Sequence, residues 1–313
     1  MTIIDSHFHI NFNGFSLDKI IKYLDRERID CCWLLSWEEI NPGPWDYQHL
    51  SVEDIYDAFL KYPSRIIPFY APDPHRTDAA IQLDNWYKRG IHGCGELIAT
   101  LNWGSGEIRP ILQTAQKLKM PVVFHMEESE TRDIPYSDKF WDRLSFYGVR
   151  SENKIYKIPW NILTKYYPPL KNRKKSYFFP GYMLDFASLE TTLDEYPDVN
   201  FVAHGLMFWK YISEDANACK AMLPTGPING EGIIWRLLES YPNLYADTSG
   251  SSGFNALTRD PTVIKRFLST FQDKILYGTD TLMKGQKEFL GSLALPEGTY
   301  NKIYGDNAQR LLI

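Results

Sequence analysis

Cysteine is scarce in this sequence. Four of the 313 residues are cysteines, no two of them are spaced as CxxC, and they fall in or near apolar segments: Cys31, Cys32, Cys94 and Cys219. This usage argues against a disulfide framework and against a cysteine-based metal centre. We expect free, buried thiols, as is typical of a reducing compartment.

Long apolar runs and runs of positive charge are also missing. No stretch of about 18 apolar residues would span a membrane, and the N-terminus has no charged and apolar leader pattern. The net charge is −5, and the densest basic cluster, Lys171 to Lys175, is short. We therefore expect a soluble cytoplasmic protein that acts on a small molecule and binds neither nucleic acid nor membrane. The sequence leaves open whether the chain forms a homo-oligomer.

Two familiar catalytic patterns are absent. GCGEL and TGPINGEG contain glycines, but neither completes a phosphate loop or a dinucleotide fingerprint. There is no GxSxG elbow, and we interpret Ser249 to Ser252 as ordinary loop serines of a glycine-rich turn. Nucleotide binding and serine hydrolase chemistry are thereby disfavoured.

Eight short apolar segments alternate with amphipathic ones along the chain. The predicted strands are Ile3 to Ile10, Cys31 to Trp37, Arg65 to Ala71, Gly90 to Ile98, Pro121 to Glu127, Val199 to Leu206, Asn243 to Thr248 and Lys274 to Asp280. Helical periodicity is found between them, for example in Ser16 to Arg28 and Ile108 to Leu118. Apolar strands alternating with helices indicate parallel strands that are covered on both faces. We predict an α/β fold, a (β/α)8 TIM barrel in which residues 1–313 form a single domain.

Two long insertions interrupt this regular spacing. Roughly 70 residues separate the fifth and sixth strands, and Phe208 to Gly232 delays the helix after the sixth strand. Both follow the carboxyl end of a strand, the face at which such barrels carry their active sites. The first insertion is rich in aromatic residues from Trp141 and Trp160 to Tyr182. We predict that residues 128–190 form a cap over the substrate.

Histidine marks the predicted strand ends. His7 and His9 lie at the end of the first strand, His125 ends the fifth, His204 the sixth and Asp280 the eighth. Residues two apart in a strand share a face, so His7 and His9 point the same way. Imidazole with a carboxylate suits zinc-like metals. The pattern predicts a divalent-metal site at the rim of the barrel.

These residues resemble the amidohydrolase superfamily, specifically its amidohydrolase-related (family 2) branch, which includes enzymes like aminocarboxymuconate semialdehyde decarboxylase. The likeness covers essentially the whole chain and rests on the HxH of His7 and His9, on FVAHGLMFW around His204, and on YGTD at Asp280. It implies that His7, His9, His125 and Asp280 bind a first metal. His204 would then contact the substrate or bind a second metal.

The fourth strand leaves the metal count open at one or two. Several members of that family carry a carboxylated lysine there, whereas this chain reads GIHGCGELIA and offers Glu96. Glu96 is either a bridging ligand, as in deoxyribonuclease-like members, or a carboxylate that orients a neighbouring ligand. Zinc is the expected metal, with iron, nickel and manganese as competitors.

Three functions fit this residue set. The first is a metal-dependent hydrolase of an amide, ester or lactone, in which Asp280 moves the proton and His204 stabilises the oxyanion. The second is a metal-dependent decarboxylase or hydratase-like lyase, and the third is a noncatalytic binder of small molecules. We predict the hydrolase, with the carboxy-lyase as the alternative.

Further residues are candidates for the substrate pocket. Trp103, Tyr182 and Trp209 follow strands or lie in an insertion, so they would wall the pocket or else belong to the core. Arg109 and Arg259 would hold a substrate carboxylate or form surface ion pairs. We expect surface or structural roles for His49, His75 and His92.

Overall fold

The computed structural model describes residues 2–12, 14–38, 49–135, 162, 165–168 and 174–312. The chain divides into two compact units, of which the larger comprises Met1–Asn41, Tyr47–Glu128 and Tyr182–Ile313. The second comprises Pro42–Asp46 and Ser129–Gly181. The prediction of one domain over the whole chain stays a prediction.

Eight parallel strands build the larger unit. They are β1 (Ile4–Phe8), β2 (Cys31–Trp37), β3 (Ile66–Ala71), β4 (Cys94–Leu97), β5 (Val122–His125), β8 (Phe201–His204), β9 (Leu244–Asp247) and β10 (Ile275–Leu276). Ladders join them in two sheets, β1-β2-β3 and β10-β9-β8-β5-β4. Each lies within a segment predicted as a strand.

Backbone hydrogen bonds join the two sheets at both edges. The amide of Tyr70 donates to the carbonyl of Gly93 at 3.0 Å, which links β3 to β4. The amide of Ser6 donates to the carbonyl of Tyr277 at 2.8 Å, and Asp280 N–H donates to His7 O at 2.8 Å, which links β1 to β10. The eight strands therefore form a ring, and the predicted TIM-barrel fold is confirmed.

Helices follow most of these strands on the outside. They are α1 (Leu17–Glu27), α2 (Val52–Lys61), α3 (Ala79–Arg89), α4 (Arg109–Leu118), α5 (Phe186–Glu195), α6 (Leu206–Lys210), α7 (Ile233–Ser240), α8 (Gly250–Arg259), α9 (Pro261–Thr270), α10 (Gln286–Ser292), α11 (Glu297–Asn301) and α12 (Asn307–Arg310). Local signals explain several starts. Ser51 caps α2 by accepting from the amides of Glu53 and Asp54, and Asp260 caps α9 ahead of Pro261.

The helix α8 corrects the sequence interpretation of Ser249 to Ser252 as a turn. Gly250 begins α8 with φ +70°, and Gly253 lies against the backbone of Thr248, where an added Cβ would be 2.4 Å from the Thr248 carbonyl oxygen. The glycines are therefore required by close packing of α8 on the end of β9. Tertiary contacts override their low helix propensity.

Alternation along the strands separates the barrel interior from the layer under the helices. In β2, Cys32 and Leu34 pack in the cluster that includes the helices, whereas Trp33 and Leu35 face the interior. We call the interior apolar set the apolar layer; it contains Ile4, Trp33, Leu35, Phe69, Val123, Val202 and Leu276. Because side chains alternate between the two faces of a strand, the next residue that faces the interior lies two positions further on. In β5 that residue is His125, which follows Val123 and lies at the carboxyl end of the strand.

The first strand departs from simple period two. Its register with β2 shifts between Asp5 and Phe8. Ile4 lies in the interior cluster and Phe8 in the outer one. Such an irregularity changes which face the following residues present, and His7 and His9 both reach the interior here.

The second unit contains a two-stranded antiparallel sheet. Its strands are β6 (Glu130–Pro135) and β7 (Lys174–Phe179), paired with Glu130 opposite Phe179. Trp141 and Trp160 of the predicted cap lie outside the described residues, so the capping role of residues 128–190 stays a prediction. Among the described residues, no helix combines the length and the apolar character needed to cross a membrane.

Candidate metal centre

A set of buried polar side chains lies at the carboxyl ends of the barrel strands. It contains one or two residues from each of six strands or the segments that follow them, and we call it the polar layer: His7, His9, Glu96, His125, His204, Asp247 and Asp280. The first six are at most 7% exposed, and Asp280 is 21% exposed. Unpaired charges at this depth would be costly, so the contacts within the layer decide its chemistry.

The rings of His7 and His9 face each other through their Nε2 atoms, which lie 3.0 Å apart. His9 Nδ1 is 2.9 Å from the carbonyl oxygen of Leu35, which only accepts, so Nδ1 carries the proton. His7 Nδ1 is 2.9 Å from Asp247 Oδ2 and likewise donates. With a proton at each Nδ1, both rings point their Nε2 atoms into the same space, an arrangement that needs a cation or a shared proton.

Two carboxylates border that space. Glu96 Oε2 lies 3.6 Å from His7 Nε2 and 3.4 Å from His9 Nε2. Asp280 Oδ1 lies 3.5 Å from His9 Nε2. In a tetrahedral site with bonds of about 2.1 Å, neighbouring ligand atoms are about 3.4 Å apart. The donor atoms of His7, His9 and Asp280, which lie within 4.8 Å of one another, therefore suit a zinc-like ion, and Glu96 Oε2 lies beside the two histidines.

His125 contacts carboxylates through both ring nitrogens. Its Nδ1 is 2.8 Å from Glu96 Oε1, and its Nε2 is 3.5 Å from Glu127 Oε2. The donor atoms of Glu96, His125 and His204 also lie within 4.8 Å of one another and form a second group that could hold a metal ion. Glu96 Oε2 also borders the Nε2 atoms of His7 and His9, so the geometry allows Glu96 to be a shared ligand.

His204 is held through its Nδ1 atom. This atom lies 3.1 Å from Asp247 Oδ1 and 2.8 Å from Ser249 Oγ. Its Nε2 faces the site, 3.9 Å from Glu96 Oε1. With its proton at Nδ1, the ring can present a lone pair at Nε2, which suits a ligand. Donation to a substrate oxygen requires the imidazolium form.

Asp247 is a site residue that the sequence reasoning missed. Its Oδ2 accepts from His7, its Oδ1 accepts from His204, and its side chain is fully buried. The available signal was its position, because Asp247 ends β9 as His125 ends β5. Glu127, two residues after His125, was missed in the same way.

Charge in the polar layer shifts several pKa values. Burial alone would raise the pKa of Glu96, but the charge of His7 and the hydrogen bond from His125 lower it well below its usual range. Burial would lower the pKa of His125, yet hydrogen bonds to Glu127 and Glu96 raise it to about 10. Burial opposes the imidazolium of His7 as well, and Asp247 and Glu96 raise its pKa above the ordinary value. The carboxylates therefore supply a strongly negative environment that favours any cation.

The three aromatic candidates lie in different surroundings. Trp103 packs edge-on against Phe124, with ring centroids 4.7 Å apart, in the core outside the strands. The Trp209 indole N–H donates to the carbonyl oxygen of Asp247 at 2.9 Å. The ring centroid of Tyr182 lies 6.2 Å from that of His125. Substrate contact by any of them stays a prediction.

The remaining candidates have local partners. Arg109 lies 3.6 Å from Glu195, and Arg259 donates to the carbonyl oxygens of Gly226 and Pro227. His75 contacts Asp73 at 2.8 Å. The ring centroid of His92 is 6.4 Å from that of Phe59, and His49 is exposed. All four cysteines are free; Cys32 and Cys94 are buried, whereas Cys31 and Cys219 are partly exposed.

The fold and the polar layer define a (β/α)8 barrel with a candidate site for divalent metal. Residues 180–312 match the family model described as Amidohydrolase. That segment contains His204, Asp247 and Asp280. The match confirms the resemblance to the amidohydrolase-related family that the motifs predict. The comparison with curated proteins finds no match.

Solved structures share the fold at low sequence identity. An uncharacterised TIM-barrel protein from Bordetella bronchiseptica is 14% identical, with TM-score 0.62 over 100% of this chain and 98% of that chain. A probable 2-pyrone-4,6-dicarboxylic acid hydrolase from Acinetobacter baumannii, with citric acid bound, is 14% identical, with TM-score 0.53 over 100% and 99%. A dihydroxybenzoic acid decarboxylase from a Polaromonas species, with bound manganese and the inhibitor 2-nitroresorcinol, is 16% identical, with TM-score 0.52 over 99% and 96%.

Proposed function

We propose that this protein is a metal-dependent hydrolase of an amide, ester or lactone of a small molecule, in which Asp280 would take the proton of the attacking water at a site for a divalent ion. The observation that carries the proposal is the pair of Nε2 atoms of His7 and His9, 3.0 Å apart, with Glu96 and Asp280 beside them. Zinc is the expected ion because imidazole with carboxylate suits it, and manganese is the first competitor.

The chain's own residues supply the ligand set. His7, His9 and Asp280 would hold the ion, and Glu96, which forms a second candidate group with His125 and His204, would be shared between the two positions. A bound divalent ion supplies a Lewis acid and lowers the pKa of water to about 7. The rings of three ligands are held through Nδ1: His9 by Leu35 O, and His7 and His204 by Asp247.

Asp280 is suited to moving the proton. It is the most exposed member of the polar layer, at 21%, so water and substrate reach it more easily than the buried carboxylates. A general base must lie within hydrogen-bond reach of the proton that it takes, and Asp280 lies at the rim where the substrate enters. If only one ion is bound, His204 would instead be protonated at Nε2 and would donate from there to the developing oxyanion.

The test is a panel of small amides, esters, lactones and carboxylated aromatics, assayed in water enriched in ¹⁸O. We expect a product that carries one ¹⁸O atom, and activity that disappears with a chelator and returns with added divalent metal. Release of carbon dioxide without ¹⁸O uptake would identify the decarboxylase instead. Activity that survives complete chelation would contradict both forms of metal chemistry.

A further inference from the structure

Asp247 holds an unusual position between two rings of the candidate site. Its two carboxylate oxygens contact different histidines: Oδ2 lies 2.9 Å from His7 Nδ1, and Oδ1 lies 3.1 Å from His204 Nδ1. Both contacts are fully buried, so water cannot substitute for either partner. One carboxylate thus touches two rings on their sides opposite to the ligand atoms.

The orientation of this carboxylate is itself fixed. The backbone amide of Ser249 donates to Asp247 Oδ1 at 3.0 Å, and the Ser249 hydroxyl also donates to Oδ1. The indole of Trp209 donates to the Asp247 backbone carbonyl. The Ser249 hydroxyl has one proton and donates it to Asp247. It can therefore only accept a hydrogen bond from His204 Nδ1, which lies 2.8 Å away. His204 and His7 must therefore both carry their proton at Nδ1.

We propose that Asp247 is the positioning residue that imposes the Nδ1–H tautomer on His7 and His204 and so keeps both Nε2 atoms available as metal ligands. The inference deepens the proposed function and rests on it for the identity of the ligands. The position of the proton on each ring is decisive because a protonated nitrogen cannot bind a metal.

The substitution Asp247→Asn tests this at the level of single atoms. The Ser249 backbone amide needs an acceptor, so the new amide oxygen takes the place of Oδ1 and the NH2 group takes the place of Oδ2. Two N–H groups would then face each other at His7 Nδ1. This repulsion is relieved if His7 carries its proton at Nε2 instead. That Nε2–H would donate to His9 Nε2, 3.0 Å away, and neither Nε2 atom would then be free to bind a metal.

The expected results rank the variants. Asp247→Asn should weaken divalent-metal binding by at least about 10²-fold, beyond the upper end of effects seen when a ligand's partner is removed. Asp247→Ala removes the carboxylate but places no N–H against His7, so both tautomers remain accessible and the loss should be smaller, about 10-fold. A merely structural role predicts the reverse, because asparagine keeps the shape of aspartate and alanine leaves a cavity.

A matched control is available in Asp5, which is also fully buried. Its Oδ1 accepts from the amide of Thr279 at 2.9 Å, and its Oδ2 accepts from the Thr279 hydroxyl. A hydroxyl can rotate to accept from a new NH2 group, so Asp5→Asn should change metal affinity by only a few-fold. Ser249→Ala leaves the Asp247 carboxylate against both rings and should do the same.

The decisive readout is the ¹⁵N NMR spectrum of the imidazoles in metal-free, histidine-labelled protein, with His7 assigned by its loss in His7→Gln. Wild type and Asp5→Asn should show a proton on His7 Nδ1, whether or not Nε2 is also protonated, and Asp247→Asn should show His7 protonated at Nε2 alone. Mn²⁺ and Zn²⁺ titrations give the affinities, and thermal unfolding checks the fold. If Asp247→Asn does not fold, mixed tautomers in Asp247→Ala carry the test.

Failure of this inference is separable from failure of the proposed function. Asp247→Asn that binds metal as tightly as wild type, with His7 still protonated at Nδ1, would overturn the role of Asp247 and leave the metal site intact. Wild type that binds no metal would overturn the proposed function. The tautomer switch in metal-free protein would still stand or fall by the NMR result.

Discussion

The barrel interior contains two buried layers that differ in polarity and charge. The apolar layer buries large side chains in close contact, as in the stacked rings of Trp33 and Phe69, whose centroids are 4.5 Å apart. The polar layer buries four histidines, whose rings make three contacts with one another, and several carboxylates. Burying apolar surface stabilises a fold, whereas burying charge costs free energy unless partners compensate. We infer that one layer holds the barrel together and that the other is retained for its chemistry.

The largest expected effect removes a ring from the apolar layer. Phe69 is fully buried and fills the space beside Gly93, where an added Cβ would lie 2.0 Å from the ring. Phe69→Ala should lower the free energy of unfolding by about 3–5 kcal/mol in urea titrations. Metal stoichiometry should not change in the fraction that stays folded.

The same change at an exposed ring provides the control. Phe178 is 66% exposed, and Phe178→Ala should change the free energy of unfolding by no more than about 0.5 kcal/mol. Equal losses for the two variants would mean that the apolar layer does not carry the stability that we assign to it.

The second effect concerns chemistry in the polar layer. Asp280→Asn keeps an oxygen ligand of the same shape and removes the base, so turnover should fall by roughly 10²-fold or more, and metal occupancy only modestly. Steady-state kinetics with parallel metal analysis separates the two. Turnover near that of wild type would mean that another group transfers the proton, and Glu96 would be the first candidate.

The third effect is the stabilisation of the fold by a metal ion bound at the polar layer. An ion that binds only the folded state at a free concentration 100-fold above its Kd adds about 2.7 kcal/mol to the free energy of unfolding. Added Zn²⁺ should therefore raise the unfolding midpoint of the wild type. His9→Ala, which lacks one donor of the pair, should show little shift. A shift of the same size in both proteins would place the ion elsewhere.

Local pattern was enough to predict the barrel. All eight strands lie within the predicted segments, because parallel strands covered on both faces are continuously apolar and their boundaries are marked by turns. The histidines were found for the same reason, since each ends such a run. The helix α8 was not, because GSSG has turn composition and is helical here only through its contact with Thr248.

Asp247 shows where sequence reasoning stops. Nothing in LYADTS distinguishes it from a strand-ending aspartate on the surface, and its two histidine partners are 240 and 43 residues away along the chain. The roles of Glu96 were likewise left open, because its distances to His9 and His125 depend on the closure of the barrel. Such pairings depend on the closed ring of strands and cannot be found in any single segment of the sequence.

The metal content of the purified protein tests the central claim most directly. Elemental analysis of wild type, expressed in medium with zinc and manganese and freed of loosely bound ions, should find at least one equivalent of a divalent transition metal. The His7→Ala variant, folded by its circular dichroism spectrum, should retain almost none. Wild type without bound metal, and without binding on titration, would contradict the account of the polar layer.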